Sequence, residues 1–298
     1  MVYDVSNGTI VEKETDERMV ERMKKLQEQE QRLRMAMDKV KHKIAIISGK
    51  GGVGKSTVTA NLAVAFAREG YEGKVGILDA DIHGPCIPKI LGVQGERLPV
   101  GPLGIFPVEG PMGIKIISMA FLLSSEEDPV IWRGPLKMTA IRQFLTDIQW
   151  GNLEYLFVDL PPGTGDEPLS VIQLLPDLDG VVIVTIPSEV SQLVVKKAIT
   201  FARHLNVPIL GVIENMSGFV CPKCGTKTDI FSLGGLSKIS NELRVQILGK
   251  IPLDPRICKD SDRGVPFIVN DHDSESAEAF MRIVEKVESL LEEKEGND

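Results

Sequence analysis

From Lys43 onward, short runs of Val, Ile and Leu alternate with stretches whose apolar residues recur at helical spacing. This is how a mostly parallel β-sheet with helices on both faces reads in sequence, because each strand is buried on two sides. The runs start at Ile44 (IAIIS), Lys74 (KVGILDA), Ile114 (IKIISM), Tyr155 (YLFVD), Val181 (VVIVTI), Pro208 (PILGVIEN) and Ile247 (ILGKIP), and most are too apolar to have a wet face. Helices are expected to begin near Lys55, Pro135, Glu167, Glu189 and Leu233, and a last one near Ser274 sets Phe280, Ile283, Val284, Val287 and Leu290 at helical spacing. Residues 92–113 are dense in Gly and Pro and read as a long surface connection. Residues 12–41 contain no Gly or Pro and carry only a loose apolar stripe of Val20, Met23, Leu33, Met37 and Val40, the pattern of a mostly solvated helix. The expected organisation is an N-terminal helical extension, 1–41, followed by one α/β domain, 42–298.

A chain of 298 residues can bury one large core. Its net charge of −8 disfavours a broad footprint for nucleic acid or anionic lipid and leaves nucleotides and proteins as partners. No stretch is apolar for the length of a membrane span, and MVYDVSNGTI lacks the regions of a signal peptide, so a cytoplasmic location is expected. Four cysteines are too few for a disulfide scaffold.

The segment GKGGVGKST at 49–57 meets the pattern GxxxxGK[ST] through Gly49, Gly54, Lys55 and Ser56, and it lies between an apolar strand and a helix. In that setting backbone N–H groups and the positive end of the helix converge on one anionic site. Gly51, Gly52 and Gly54 supply unusual backbone angles, Lys55 pairs with the β and γ phosphates, and Ser56 offers a hydroxyl to Mg²⁺. The expected nucleotide-binding set is Gly49, Lys50, Gly51, Gly52, Val53, Gly54, Lys55, Ser56 and Thr57. Ligands of open α/β sheets sit beyond the carboxyl ends of the strands, and two acidic sites lie there: the DAD at 79–81 and Asp159, which closes YLFVD. An Asp at a strand end also serves as a turn brace, and Asp79 is open to either use.

FVCPKCGTK holds Cys221 and Cys224 as a Cys-x-x-Cys pair. A redox dithiol needs such a pair at a helix N-terminus, whereas the residues that follow favour a turn. A zinc ribbon needs a second pair, and only the isolated Cys86 and Cys258 remain. Two copies of the chain meeting across a two-fold axis would supply four thiolates, which suit a [4Fe-4S] cluster or Zn²⁺; spacing does not choose between them.

Lys50, directly after Gly49 and opening KGGVGKS, resembles the second lysine of the deviant Walker A loop of the family that contains the ParA and MinD ATPases. There a second lysine reaches across a two-fold interface to the partner's phosphates, so the resemblance implies a homodimer and a catalytic role for Lys50 beside Lys55. By the same resemblance, Asp81 matches the acid that positions the attacking water, Asp159 the acid that holds Mg²⁺ with Ser56, and Gly163 in PPGTGDE the switch II amide that meets the γ-phosphate. ISGKGGVGKST, LDADIHGPCIPKILG, WRGP, VDLPPGTGDEPLS and ENMSGFVCPKCG together look like the Mrp/ApbC family of iron-sulfur cluster carrier ATPases over roughly residues 41–291. That resemblance implies ATP hydrolysis with Mg²⁺, a [4Fe-4S] cluster shared by Cys221 and Cys224 of two chains, delivery to apo iron-sulfur proteins, and adenine recognition at Asn215. It places Trp132 and Arg133 near the dimer face. The N-terminal segment has no cysteines, unlike the eukaryotic cytosolic branch, and lacks the small extra domain of many bacterial members, so a second cluster is not expected. Asn215 and Cys221 are joined by at most about 20 Å of extended chain at ~3.4 Å per residue, so nucleotide and cluster would share one loop. Two other readings use the same residues: a ParA/MinD-type positioning ATPase, opposed by the acidic end VEKVESLLEEKEGND, and a zinc-bridged nucleotide-binding dimer with no transfer activity.

Overall fold

Parallel strands dominate the computed structural model, which describes residues 2–4, 9–11, 14–122, 134–221, 224, 226–230, 235–270 and 273–296. The main sheet consists of β1 (Val40–Ile47), β2 (Val75–Asp79), β3 (Val108–Glu109), β4 (Lys115–Ser118), β5 (Leu153–Asp159), β6 (Gly180–Thr185), β7 (Ile209–Glu214) and β8 (Ile247–Lys250). Their order across the sheet is β8-β7-β6-β1-β5-β2-β4-β3, and all pairs are parallel except β3 with β4. β1 therefore stands between β5 and β6, and the chain leaves its carboxyl end at a point where connections diverge to both sides. Such a crevice is where open α/β sheets take ligands.

The longer helices are α1 (Glu14–Met37), α2 (Lys55–Phe66), α3 (Gly134–Thr146), α4 (Asp166–Leu174), α5 (Glu189–His204), α6 (Gly235–Leu243), α7 (Pro255–Arg263) and α8 (Glu275–Glu295). Alternation along β1 divides the core in two. Ile44 and Ile46 face one layer with Leu62 and Phe66 of α2 and Phe280, Ile283, Val284 and Val287 of α8. Ala45 and Ile47 face the other with Ile141 and Phe144 of α3 and Val195 and Ile199 of α5. The period-two alternation of a strand against the 3.6-residue stripe of its covering helices is what the apolar pattern encodes.

All seven expected runs are strands of this sheet, and the extension contains the expected helix. Three features differ from the reading of the sequence. Residues 92–113 are not wholly irregular: Val108–Glu109 pairs antiparallel with β4, and Val108 is buried, an edge too short for alternation to reveal. α7 has few apolar residues, yet Asp254 accepts from Arg256 N–H, Pro255 opens the helix, and Gly264 ends it at φ 71°, so its caps mark it. A short hairpin, Val2–Asp4 with Thr9–Val11, precedes α1. Trp132 and Arg133 and the expected helix start at Leu233 lie outside the described residues.

α1 is docked over only part of its length. Leu33 and Met37 are 4% and 1% exposed against the layer that holds α3, while Met19 and Met23 are 66% and 57% exposed. β1 starts directly behind the docked end, at Val40. Met37→Ala is therefore expected to cost about 2–5 kcal/mol in urea unfolding, and Met19→Ala to stay within about 0.5 kcal/mol; equal losses at both positions would overturn this division of the helix.

Candidate functional site

The turn between β1 and α2 has no side-chain cap, and the first turn of α2 has no acidic residue. Its leading N–H groups are thus left for an anion. Gly52 and Gly54 take left-handed backbone angles, φ 77° and 80°, which only glycine adopts without strain. At Gly54 a second constraint applies, because a Cβ would fall on Asn215 Nδ2. Asn215 follows the end of β7, is buried, and donates from Nδ2 to Val53 O at 2.9 Å. The residue singled out for adenine thus also braces the loop from below.

Lys55 and Ser56 open α2 and turn toward Asp159 at the end of β5. Lys55 Nζ lies 2.7 Å from Asp159 Oδ2, Ser56 Oγ donates to the same oxygen at 2.6 Å, and Thr59 Oγ1 donates to Oδ1 at 2.6 Å. Asp159 has no exposed surface and Lys55 is 6% exposed. Thr59 is a site residue that the loop motif does not include; its signal is its place one helical turn after Lys55, on the same face of α2.

Register sets Asp79 beside Asp159. Burial first, and the Asp159 charge second, push the Asp79 carboxyl well above the ordinary range, while Lys55 and Ser118 act the other way. Asp79 accepts from the N–H of Asp81 and of Ile87, both at 3.3 Å, and from Ser118 Oγ at 3.1 Å. Its role here is to brace the segment 81–87. Asp81 is half-buried on that segment, where its Oδ1 accepts from Gly84 N–H at 3.3 Å; among the described residues no hydrogen bond joins it to the phosphate loop. Gly163, at φ 100°, donates its N–H to Ser48 O at 2.8 Å, and Ser48 Oγ donates to Lys50 O at 3.0 Å. Lys50 is half-buried and forms no ion pair among the described residues.

The cysteine pair sits on a hairpin, not a helix end. Phe219–Val220 pairs antiparallel with Lys227–Thr228, and Cys221 N–H donates to Thr226 O at 3.0 Å. Cys221 is half-buried and Cys224 exposed, with Cys224 Sγ and Thr226 Oγ1 hydrogen-bonded at 3.2 Å. The Thr226 bond, and then Cys221, hold the Cys224 thiol below its ordinary range. The connection from Asn215 does not hang free: Ser217 N–H donates to Ile251 O and Leu253 N–H to Gly218 O, both at 2.8 Å, which seats it on the chain leaving β8. Cys86 and Cys258 are exposed elsewhere. Among the described residues no group of three or more His, Cys, Asp or Glu could hold a metal, and no helix is long and apolar enough to cross a membrane.

The family described as ParA, NUBPL iron-transfer P-loop NTPase, matches residues 39–288. An iron-sulfur cluster carrier protein of Methanocaldococcus jannaschii is 54% identical over 271 residues, which is 91% of this chain and 92% of the relative. A protein of the same description from Saccharolobus solfataricus is 52% identical over 261 residues, 88% of each chain. Among solved structures, a nucleotide-binding protein of Archaeoglobus fulgidus in complex with ADP superposes with a TM-score of 0.70 at 43% identity, over 79% of this chain and 91% of that one. The cell division ATPase MinD of Pyrococcus furiosus shares the fold, with a TM-score of 0.63 at 23% identity over 84% of this chain and 99% of its own. The phosphate loop, the buried acid beneath it and the extent of these matches agree: the chain belongs to the NUBPL iron-transfer P-loop NTPases of the ParA family.

Proposed function

We propose that this protein is an ATP-hydrolysing carrier of a [4Fe-4S] cluster that acts in the cytoplasm as a homodimer and passes the cluster to apo iron-sulfur proteins. The observation that carries the reading is the single connection from Asn215, beneath the phosphate loop, to the cysteine hairpin, hydrogen-bonded at Ser217 and Gly218 to the chain leaving β8. The two carrier relatives and the ADP complex of the Archaeoglobus protein support it.

The chemistry follows from the groups in place. Phosphate draws the Lys55 ammonium away from Asp159, to which it is bonded at 2.7 Å. That exchange leaves Asp159 and the Ser56 hydroxyl as hard oxygen donors of the kind Mg²⁺ takes, and these two would hold it. Bound Mg²⁺ supplies positive charge to the phosphoryl oxygens. The Gly51, Gly52 and Gly54 backbone cradles the phosphates, flanked by Gly49, Val53 and Thr57, and Asn215 Oδ1 accepts from the adenine amino group. Gly163 N–H exchanges Ser48 O for the γ-phosphate, so the 161–167 segment reports whether that phosphate is there. Asp81 orients the attacking water, and Lys50 reaches the phosphates of the partner chain to offset charge in the transition state.

The cluster is cargo. Each hairpin offers two thiols, one of them exposed, and two hairpins across a two-fold axis complete a four-thiolate set. Because Asn215 and Cys221 lie on one connection, nucleotide turnover shifts the exposure of the cluster.

Anaerobic reconstitution with iron and sulfide is expected to give about four iron per two chains, the content of one four-thiolate [4Fe-4S] centre. Visible absorbance and molar mass in solution read the outcome; Cys221→Ser and Cys224→Ser should each abolish it. A monomer without iron would sink the carrier reading, and zinc with no iron would favour a structural metal bridge.

For nucleotide, Lys55→Ala should weaken ATP binding by about tenfold to a hundredfold, measured with a fluorescent analogue. It should also destabilise the nucleotide-free fold by about 3–5 kcal/mol, because the buried Asp159 loses its cation. Lys50→Ala should bind ATP and fail to hydrolyse it. Cluster transfer that runs equally fast with ATP, without ATP and in Lys55→Ala would refute the coupling.

A further inference from the structure

Outside the phosphate loop, one buried ammonium gathers three segments of the chain. Lys137, in the first turn of α3, is 4% exposed, and its Nζ lies 2.7 Å from Glu167 Oε1 and 2.6 Å from His83 Nε2. His83 Nε2 and Glu167 Oε1 are themselves 3.2 Å apart, so the three atoms form a closed triangle. Glu167 stands in the first turn of α4, four residues after Gly163; His83 stands two residues after Asp81, on the segment braced by Asp79. Each of the two loops that carry proposed γ-phosphate and water contacts thus sends one side chain to the same nitrogen.

A buried ammonium is tolerated only while acceptors surround it. Among the described residues Glu167 is the carboxylate that meets Lys137 in an ion pair. Burial pushes the Glu167 carboxyl up, but the Lys137 bond and charge, joined by those of His83, hold it below the usual range. His83 Nε2 accepts from Lys137 when unprotonated and donates to Glu167 when protonated, so it serves one neighbour at a time. A pair serving only to seat α3 on α4 would not need the third member: His83 has a 62% exposed side chain and sits on a loop. Displacing Glu167 strips the ammonium of its carboxylate and throws its remaining hydrogen bonding onto His83; displacing His83 does the reverse.

We propose that Lys137 is a positioning residue that ties the 81–87 segment to the 163–167 segment, so that the two loops flanking the phosphates rearrange as one. The proposal rests on the reading of those loops as nucleotide switches, and it predicts coupling before any nucleotide is bound.

The test is amide hydrogen exchange on the full chain, without nucleotide, for His83→Ala, Glu167→Gln, Lys137→Met and Lys137→Arg. Exchange of amides 81–87 should rise about tenfold in Glu167→Gln, and that of amides 163–167 about tenfold in His83→Ala, the loss expected for a charge-assisted bond. Lys137→Met should release both loops and Lys137→Arg should restore most of the protection. His83 is exposed, so its variant keeps the test available if the buried substitution does not fold. Effects confined to the mutated residue's own loop would overturn the proposal. In steady-state turnover Lys137→Met should lower kcat about tenfold while KM for ATP changes less than about twofold, since the buried ammonium is bonded to His83 and Glu167 and to no residue of the 49–57 loop among the described residues. The losses from His83→Ala and Glu167→Gln should combine to less than their product. A multiplicative combination would also count against the tie. A wild-type chain that neither binds nor hydrolyses ATP would refute the nucleotide reading instead, while the exchange result would still decide whether the loops are linked.

Discussion

Asp159 is a carboxylate with no exposed surface, and what surrounds the site follows from satisfying it. An unpaired buried charge costs several kcal/mol, so its oxygens must meet donors. Those donors, Lys55, Ser56 and Thr59, all lie within the first five residues of α2. Start of helix and end of strand are thereby locked together, and the glycine turn between β1 and α2 must close over the same point. The pair also fixes the Lys55 ammonium against Asp159 at 2.7 Å. In the proposed function a nucleotide competes with that carboxylate for the lysine.

The second constraint is like charge. Asp79 and Asp159 are neighbours in register, buried together with one ammonium nearby, and the strain falls on Asp79, whose carboxyl is pushed up. Three donors then make Asp79 a brace for the 81–87 segment, which places Asp81 and His83. The two acids of the DAD motif thus differ in setting because Asp79 is fully buried at the end of an internal strand and Asp81 is half-buried beyond it. On the opposite flank, Asn215 ties the loop to the end of β7, and the chain beyond it is hydrogen-bonded to the segment leaving β8 at Ile251 and Leu253. The 49–57 loop and the cysteine hairpin are in this way connected by hydrogen bonds and not only by chain length.

Most of the architecture could be read from apolar runs because parallel strands are buried on both faces and carry no ambiguity of side. What escaped that reading was short or polar: the two-residue edge β3 and the capped, mostly polar α7. α1 was legible as a helix, but its stripe does not tell which part docks; the cover of α3 over Leu33 and Met37 does. Within the site, the loop glycines, Lys55, Ser56 and Asp159 stand out by motif and by position at strand ends. Thr59 is marked only by its place one turn after Lys55, and the Lys137–Glu167–His83 triangle not at all, because its members are distant in sequence.

The amino-acid sequence by itself determined the alternation of strands and helices, the phosphate loop, the placing of acids at strand ends and the lone Cys-x-x-Cys pair, since all of these depend on local spacing. The tertiary structure decided which acid is paired with Lys55, which acid is a brace, which carbonyl accepts from the Gly163 N–H, and how the path from Asn215 to Cys221 is held. Those outcomes depend on strand register and burial, which bring together groups dozens of residues apart and set the dielectric in which their charges meet.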